Sequence, residues 1–571
     1  MRNLGRGILR HIVVLSILLP VVSMAQTELV PVDHKVYPFL ETMSMKGLID
    51  YNSASIPISR GEVASYLKDI AKAKEKLSPT ERKILADVMV EFRYDIDKSM
   101  DESYSFLHEF KLDSVLQIFS NDKQKYLASY ADSNFSLFLD GIGAVSYRNF
   151  DAKSFQKAQL SLFEIGPRLR GTLYDNLAFY VQVTEGQSFS GSKYARQVAT
   201  GYDPSLAAST KFVDDKFITA FNAGYMRYET ANHAVSLTIG RDNFEMGNGY
   251  IDKLFISDNI PPFDFGKLDI DYKFFRYSFF YGNLQGDSLG APLTSKSILG
   301  HRLDIELSRS FRFGLFESLI LSNVPFSFTY LNPASVIESE NLGTHEDPLS
   351  NALIGFDCEF RPHTNIGIQL SFLIDDLNTS TLGKKTPAGN DNKFGYQAGF
   401  MYVEPFGLND LSASVEYTRI DPFVYSHRTN MSNYTNWGIS IGAALPPNSD
   451  EVAFKLGYYL TNRITLNFLY KHQRSGEGFL DVNGNPTFSD RGIITRNFGG
   501  DVNRGDLDFK YTNVFLMGFR VNRDIFDIST RIEPVRQYFL DISYSLQSID
   551  QLYLSKASID QFLYVTASTD F

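Results

Sequence analysis

Two periods of hydrophobicity divide the chain. Between residues 34 and about 100 apolar positions recur every three to four residues, the spacing of helices with one buried face. Val36, Phe39, Leu40, Met43 and Leu48 approximate a first face, with Gly47 near its end. Ser59 and Glu62 stand at capping-box spacing ahead of Val63, Tyr66, Leu67 and Ile70. Ser78 and Glu81 repeat the device, with Pro79 at the first helical position, ahead of Ile84, Leu85, Val88 and Phe92. Three short amphipathic helices must bury those faces on one another or on a neighbour, such as the mouth of a barrel.

From about residue 134 the period is two. Phe454, Leu456, Tyr458 and Leu460 precede a tight Thr461-Asn462 connection, and Ile464, Leu466, Phe468 and Tyr470 follow it, which predicts a hairpin. Similar pairs flank Asp175-Asn176 and Ala231-Asn232, and the alternation of Trp437, Ile439, Ile441, Ala443 and Leu445 predicts another strand. Tyr538 to Leu546 and Leu563 to Phe571 alternate in the same way, with Asp541, Ser543 and Ser545 on the second face of the former. A strand buried in a soluble parallel sheet is apolar on both faces, whereas a barrel strand in lipid is apolar outside and mixed inside. Residues 188–215, 377–393 and 473–507 read as long polar loops, so short turns and long loops fall on opposite sides. Eighteen or nineteen strands can be proposed; bacterial barrels usually close with an even number, hence about 18.

Composition agrees with a membrane barrel. Phe 47 and Tyr 32 against Trp 1 suit strands and interfacial girdles. No apolar run after residue 25 is long enough for a spanning helix. Arg2, Arg6 and Arg10, the apolar stretch Ile12 to Val22 and Ser23-Met24-Ala25 form a secretory signal that predicts a mature chain from Gln26. The expected organisation is a signal peptide over 1–25, a periplasmic helical plug or cap over 26–105, and a transmembrane barrel with long extracellular loops over 106–571. The address is the outer membrane, surrounded by its lipid. The aromatic Phe571 at the end of a strand resembles the signal recognised by barrel insertion machinery. Net charge is −11, and −14 once the three signal arginines are gone, so nucleic acid is no natural partner. The single Cys358 excludes an internal disulfide and a cysteine-rich metal site.

Residues 239–262 hold Gly240-Arg241, Gly247-Asn248-Gly249, Leu254-Phe255, Ser257 and Asn259 to Pro262. Further along come His301-Arg302, Phe313 to Glu317, Tyr330 to Pro333, Asn351, Gly355 to Asp357, Leu373 to Asp376, Glu416 to Thr418, Pro422 to His427 and Gly442 to Ser449. In that order these motifs resemble the Wzi-like capsule assembly family, as do Tyr37 to Leu48 and Ile56 to Arg60; Met246 replaces the family's usual Trp. The resemblance implies an 18-stranded barrel with a periplasmic helical bundle at one mouth and loops folded over the other. It also implies a lectin-like role, binding capsular polysaccharide and holding it at the cell surface.

Sugar recognition needs aromatic faces and convergent amide, carboxylate and guanidinium groups. The candidate ligand residues are Arg241, Asp242, Asn248, Tyr250, Asp258, Asn259, Glu317 and Asp375. Against that stands a structural role, because polar groups on an inner wall must pair with one another; Glu317, Asp375 and Asp376 are expected to bridge to Arg302 or Arg241. No metal or cofactor is expected. The Asp481-Val482-Asn483-Gly484-Asn485 run opens like a calcium loop, but Pro486 and Gly492 replace its Gly and Glu. Arg504-Gly505-Asp506 reads as a turn. The histidines, among them His233, His301, His345, His363, His427 and His472, are scattered, and the adjacent Asp375 and Asp376 point to opposite faces of a strand, so no enzyme is expected. The competing reading is a porin or solute channel, which a barrel of about 18 strands is wide enough to form.

Overall fold

The computed structural model describes residues 26–571 except 108–111, 153–156, 192–209, 214–215, 286–294, 325, 335–349, 378–391, 428–429, 478, 481–485, 488–495, 498, 504–513 and 553–554. The expected signal peptide, His345, the loop Asp481 to Asn485 with Gly492, and Arg504-Gly505-Asp506 lie outside the described residues.

The wall is a closed antiparallel barrel. Its first nine strands are β1 (Phe135–Ala152), β2 (Ala158–Leu173), β3 (Leu177–Gly191), β4 (Lys216–Glu229), β5 (Val235–Asp242), β6 (Phe263–Tyr272), β7 (Phe275–Gln285), β8 (Ser295–Ser308) and β9 (Phe311–Ser322). The other nine are β10 (Ser350–His363), β11 (Ile366–Asp376), β12 (Lys393–Val403), β13 (Leu411–Ile420), β14 (Ser449–Thr461), β15 (Ile464–Glu477), β16 (Phe519–Val535), β17 (Tyr538–Gln551) and β18 (Lys556–Asp570). Each pairs with the next, and β18 closes on β1 from Asp560 opposite Ala152 to Asp570 opposite Ile142. Phe571 exchanges backbone hydrogen bonds with Gly141. The closing register leaves Phe135 to Asp140 of β1 unpaired with β18. The beginning of β1 is occupied instead by the short strand Ala128–Ala131.

Period two puts Leu315, Ile354, Phe356, Leu370, Phe400, Val415, Leu466 and Ile528 outside, all exposed on the isolated chain as a lipid-facing band would be. No helix among the described residues is long and apolar enough to cross a membrane. The connections at one mouth are short, as at 174–176, 273–274, 364–365 and 462–463, while those at the other mouth are long. One expected strand is not part of the wall. Residues 437–445 contribute only the two-residue strand Ile439–Ser440, because the loop from 421 to 448 is folded into the lumen. Alternation there reflects packing inside the barrel.

Among the described residues, four helices lie at the short-turn mouth: α1 (Val36–Met45), α2 (Arg60–Lys72), α3 (Pro79–Glu91) and α4 (Arg93–Asp97). The Ser59 hydroxyl accepts the Glu62 N–H, and Ser78 and Glu81 make a complete capping box. Their apolar faces build a core of their own, with Phe39, Leu40, Met43, Val63, Leu67, Leu85, Val88 and Phe92 fully buried. Polar contacts tie this cap to the barrel rim. Lys46 bridges Glu81 and Glu404, at 2.8 and 2.9 Å; Asp87 takes Arg463 and Arg536, both at 2.9 Å; Lys98 meets Asp175 at 2.6 Å.

Candidate functional site

The lumen contains two unlike regions. Along β6 to β13 the loops 243–262 and 421–448 fold inward and form a plug with an apolar core. Phe244 packs edge-on against Phe265 and Phe280 at 5.0 and 5.1 Å, and Phe255 stacks on Phe316 at 4.4 Å. The two loops are laced together: the Tyr425 hydroxyl donates to the Leu254 carbonyl at 2.7 Å, and the Tyr434 hydroxyl to Phe255 O at 3.0 Å. At Gly442 a Cβ would stand 2.5 Å from the Leu254 carbonyl oxygen, so this crossing requires glycine.

Buried charges pin the plug to the wall. Glu416 on β13 accepts the backbone N–H groups of Tyr250, Ile251 and Asp252 at 2.9, 3.2 and 3.0 Å, together with the amides of Gln369 and Gln397. Arg302 on β8, with 0% of its side chain exposed, pairs with Asp304 and Asp357, and Asp357 also accepts from Asn248 at 2.8 Å. These groups are satisfied by one another, which is what a buried charge in a low dielectric requires.

The eight candidate ligand residues divide accordingly. Asn248 serves the Arg302 network. Asn259 clamps the loops by donating to the Gly442 carbonyl at 2.8 Å, and Asp375 accepts the Tyr425 N–H at 2.6 Å. Asp242, at the end of β5, accepts the N–H of Asn243 where the chain turns inward. Three expectations are corrected. Arg241 faces outward, paired with Asp264 at 2.8 Å and donating to Asn222 at 3.0 Å. Glu317 also lies on the outer face, 2.9 Å from His301, and neither Arg302 nor Arg241 reaches it. Asp376 pairs with Lys393 at 2.6 Å instead of with an inner arginine. Tyr250 and Asp258 do line an open space, Tyr250 with its hydroxyl 3.2 Å from Glu359.

That space is the second region. Between the plug and the cap, against β13 to β18, lie two adjoining cavities of about 610 and 590 Å3 that share Pro38, Lys455, Asn467, Ser529, Ser543 and Tyr564. The inward faces here are small and polar: Ser412 and Ser414 on β13, Gly457 on β14, Thr465 and Asn467 on β15, Ser529 on β16, Ser543 on β17, Thr566 on β18. Arg531 and Asp541 pair across the wall at 2.7 Å. Lys455 makes no ion pair, and Asn467 and Ser543 no side-chain hydrogen bond, among the described residues, so donors and acceptors point into the space. From the cap side Glu41 faces it, its carboxyl pushed above the usual range by burial and by the nearby Glu359. No group of three or more His, Cys, Asp or Glu suited to a metal occurs among the described residues. The sequence reading missed this wall. Its signal was the polar second face of the last strands, which marks a lumen but does not by itself mark a cavity.

The array can do what a sugar site does: offer hydroxyls, an amide, a cation and the Tyr564 ring to a polyol. Among solved structures the chain resembles Wzi of Escherichia coli, described as an outer membrane protein involved in group 1 capsule assembly and a carbohydrate-binding β-barrel. The TM-score is 0.56 at 13% identity, over 95% of this chain and 99% of that one. OprD and OpdO of Pseudomonas aeruginosa align over 76% of this chain and 95% and 97% of theirs, each at TM-score 0.42 and 10% identity. No curated protein matches the chain. The profile described as capsule assembly protein Wzi matches residues 173–504, more than half of the sequence and most of the barrel with its plug. The chain belongs to the Wzi capsule assembly family.

Proposed function

We propose that this protein binds capsular or other surface polysaccharide at the bacterial outer membrane and helps to assemble or anchor it there. The observation that carries the reading is the filled lumen: a plug continuous with the wall on one side and a docked helical cap on the other, in a chain of the capsule assembly family. A diffusion channel gains nothing from an apolar core inside its lumen. Residues 26–105 are then a periplasmic cap and 106–571 the barrel, with the long loops extracellular. Phe571, paired with Gly141 at the closing seam, is the contact for insertion machinery. Of the eight sequence candidates, Tyr250 and Asp258 remain as ligand contacts, joined by Lys455, Asn467, Ser543 and Tyr564. The other six hold the plug or sit on the outer wall.

Purified protein on a glycan array, together with surface polysaccharide retention in a deletion strain, tests this. Binding of an acidic glycan and loss of retained capsule are expected; no binding and an unchanged capsule would reject it. Planar-bilayer recordings address the channel reading, since large steady currents from the intact mature chain would favour it over a closed lectin.

A further inference from the structure

The outer wall carries a second packed patch, unrelated to the lumen. On β9 every residue from Phe316 to Ser322 is buried, although alternate positions face away from the barrel. The outward positions Glu317, Leu319 and Leu321 are covered by the chain that leaves β9, which turns back down the outside. Val324 and Tyr330 pack on Leu299, Leu319 and Leu321. Phe326 meets the Tyr281 ring at 5.6 Å, and the Tyr277 hydroxyl donates to the Pro333 carbonyl. Under this cover lie His301 and Glu317, 2.9 Å apart, with the Tyr277 hydroxyl 3.4 Å from the other imidazole nitrogen.

Height matters here. The His301–Glu317 rung is five steps below Lys296–Ser322 at the end of the ladder. With a rise of about 3.3 Å per residue and a tilt of 35–45°, that is about 12 Å down the wall, inside an apolar band roughly 25 Å tall. A carboxyl and an imidazole facing lipid at that depth are costly unless something covers them. The covering segment carries no charged residue from Val324 to Ala334 and turns its rings outward: Phe328 is 82% exposed and Phe326 57%. Both continue the exposed apolar face of Leu315 and Ile354 on the strands beside and below them.

We propose that residues 326–334 form an aromatic flap embedded in the bilayer leaflet on the long-loop side, with Phe326 and Phe328 contacting lipid acyl chains and the His301–Glu317–Tyr277 cluster sealed beneath. Acyl chains suit the site because the segment carries no charge for a protein partner to read and its two most exposed rings, Phe326 and Phe328, adjoin the lipid-facing band.

The chain has a single tryptophan, Trp437. In a Trp437→Phe background, Phe328→Trp and the wall reporter Ile354→Trp would each be reconstituted in vesicles whose phospholipids carry bromine on the acyl chains. Folding is checked by heat-dependent gel migration, with Phe326→Trp as the second reporter should Phe328→Trp fail to fold. The flap predicts blue-shifted emission quenched at least twofold, to the same degree as Ile354→Trp. Red-shifted, unquenched emission would place the flap in water and overturn the proposal. So would quenching that appears only when the protein is diluted in lipid, because a second copy would then be covering the patch.

Discussion

The plug and the cap fill the same lumen by different physics. The plug is continuous with the barrel's own interior: Phe244, Phe255, Ile256 and Ile260 from the loop interleave with Phe265, Phe280, Phe316 and Leu353 from the wall. Removing it would expose apolar surface on both sides. The cap has a core of its own and meets the barrel through the ion pairs of Lys46, Asp87, Lys98, Lys35 and Arg276, through a short ladder of Ser55–Ile56 with Glu245–Met246 of the plug, and through Met45 on Met401 and Val403. Burial is insensitive to salt and protonation, whereas exposed and partly exposed ion pairs are screened by one and altered by the other. The two closures therefore rest on different balances of forces, and the charged contacts of the cap are the ones that salt and acid reach first.

The strongest test of the plug is Arg302→Ala. It strands Asp304 and Asp357 without their cation in a site that water does not reach, and should cost about 3–5 kcal/mol in reversible urea unfolding. The matched substitution in the polar region, Arg531→Ala, removes a guanidinium that is 47% exposed and bonded to Asp541 alone, and should cost about 1 kcal/mol or less. Equal losses would erase the distinction between the two regions of the lumen.

Much of this was legible in the sequence, for reasons that also explain the failures. Alternation fixes which residues share a face, so a barrel of eighteen or nineteen strands could be read, with the preference for an even number selecting 18. Alternation does not say what covers a face. Residues 437–445 alternate because they pack between wall and loop, and Glu317 reads as an inner-wall acid only while the flap over it is unknown. Helix capping is local chemistry and was read correctly at Ser59 and Ser78. The cavity was not, because Lys455, Asn467 and Ser543 come from separate strands and acquire meaning only where neither plug nor cap reaches them.

Phe255→Ala should rank second. Its ring is fully buried and stacked on Phe316, and truncation to Ala leaves a cavity worth about 3 kcal/mol, less if the loop settles into it. Because the loss falls on the plug, hydrogen exchange should quicken in 243–262 and 421–448 while α1 to α3 stay protected. Faster exchange in the cap instead would mean that the two closures are coupled.

Lys46→Met attacks the other closure. It removes the cation shared by Glu81 and Glu404 and should weaken cap docking by about 1–2 kcal/mol, read as faster proteolysis of the cap with the barrel intact. Raising salt from 0.1 to 1 M should move the native cap the same way and leave plug exchange unchanged.

Acid gives the smallest effect and the most specific one. Burial alone would raise the Glu91 carboxyl, but His34 at 2.9 Å, with Lys35 and Arg60, outweighs it and holds the group below the ordinary carboxylate range. A carboxyl with a depressed folded-state pKa stabilises fully above its unfolded value, near 4.3, and loses that stabilisation as pH falls toward the folded one. The Glu91 contribution to cap protection should therefore fall below about pH 5, by at most about 1.4 kcal/mol per pH unit for this one group. Glu91→Gln should start lower and lose one proton's worth of that slope. The rings around Phe255 carry no carboxyl, so the amides of 254–256 should keep their protection over the interval in which those of α3 lose theirs, whereas 248–252, held by Asp357 and Glu416, have carboxylates of their own to lose. If the amides of 254–256 and those of α3 lost protection together as the pH fell, the charges at Glu91 would not be what distinguishes the two regions.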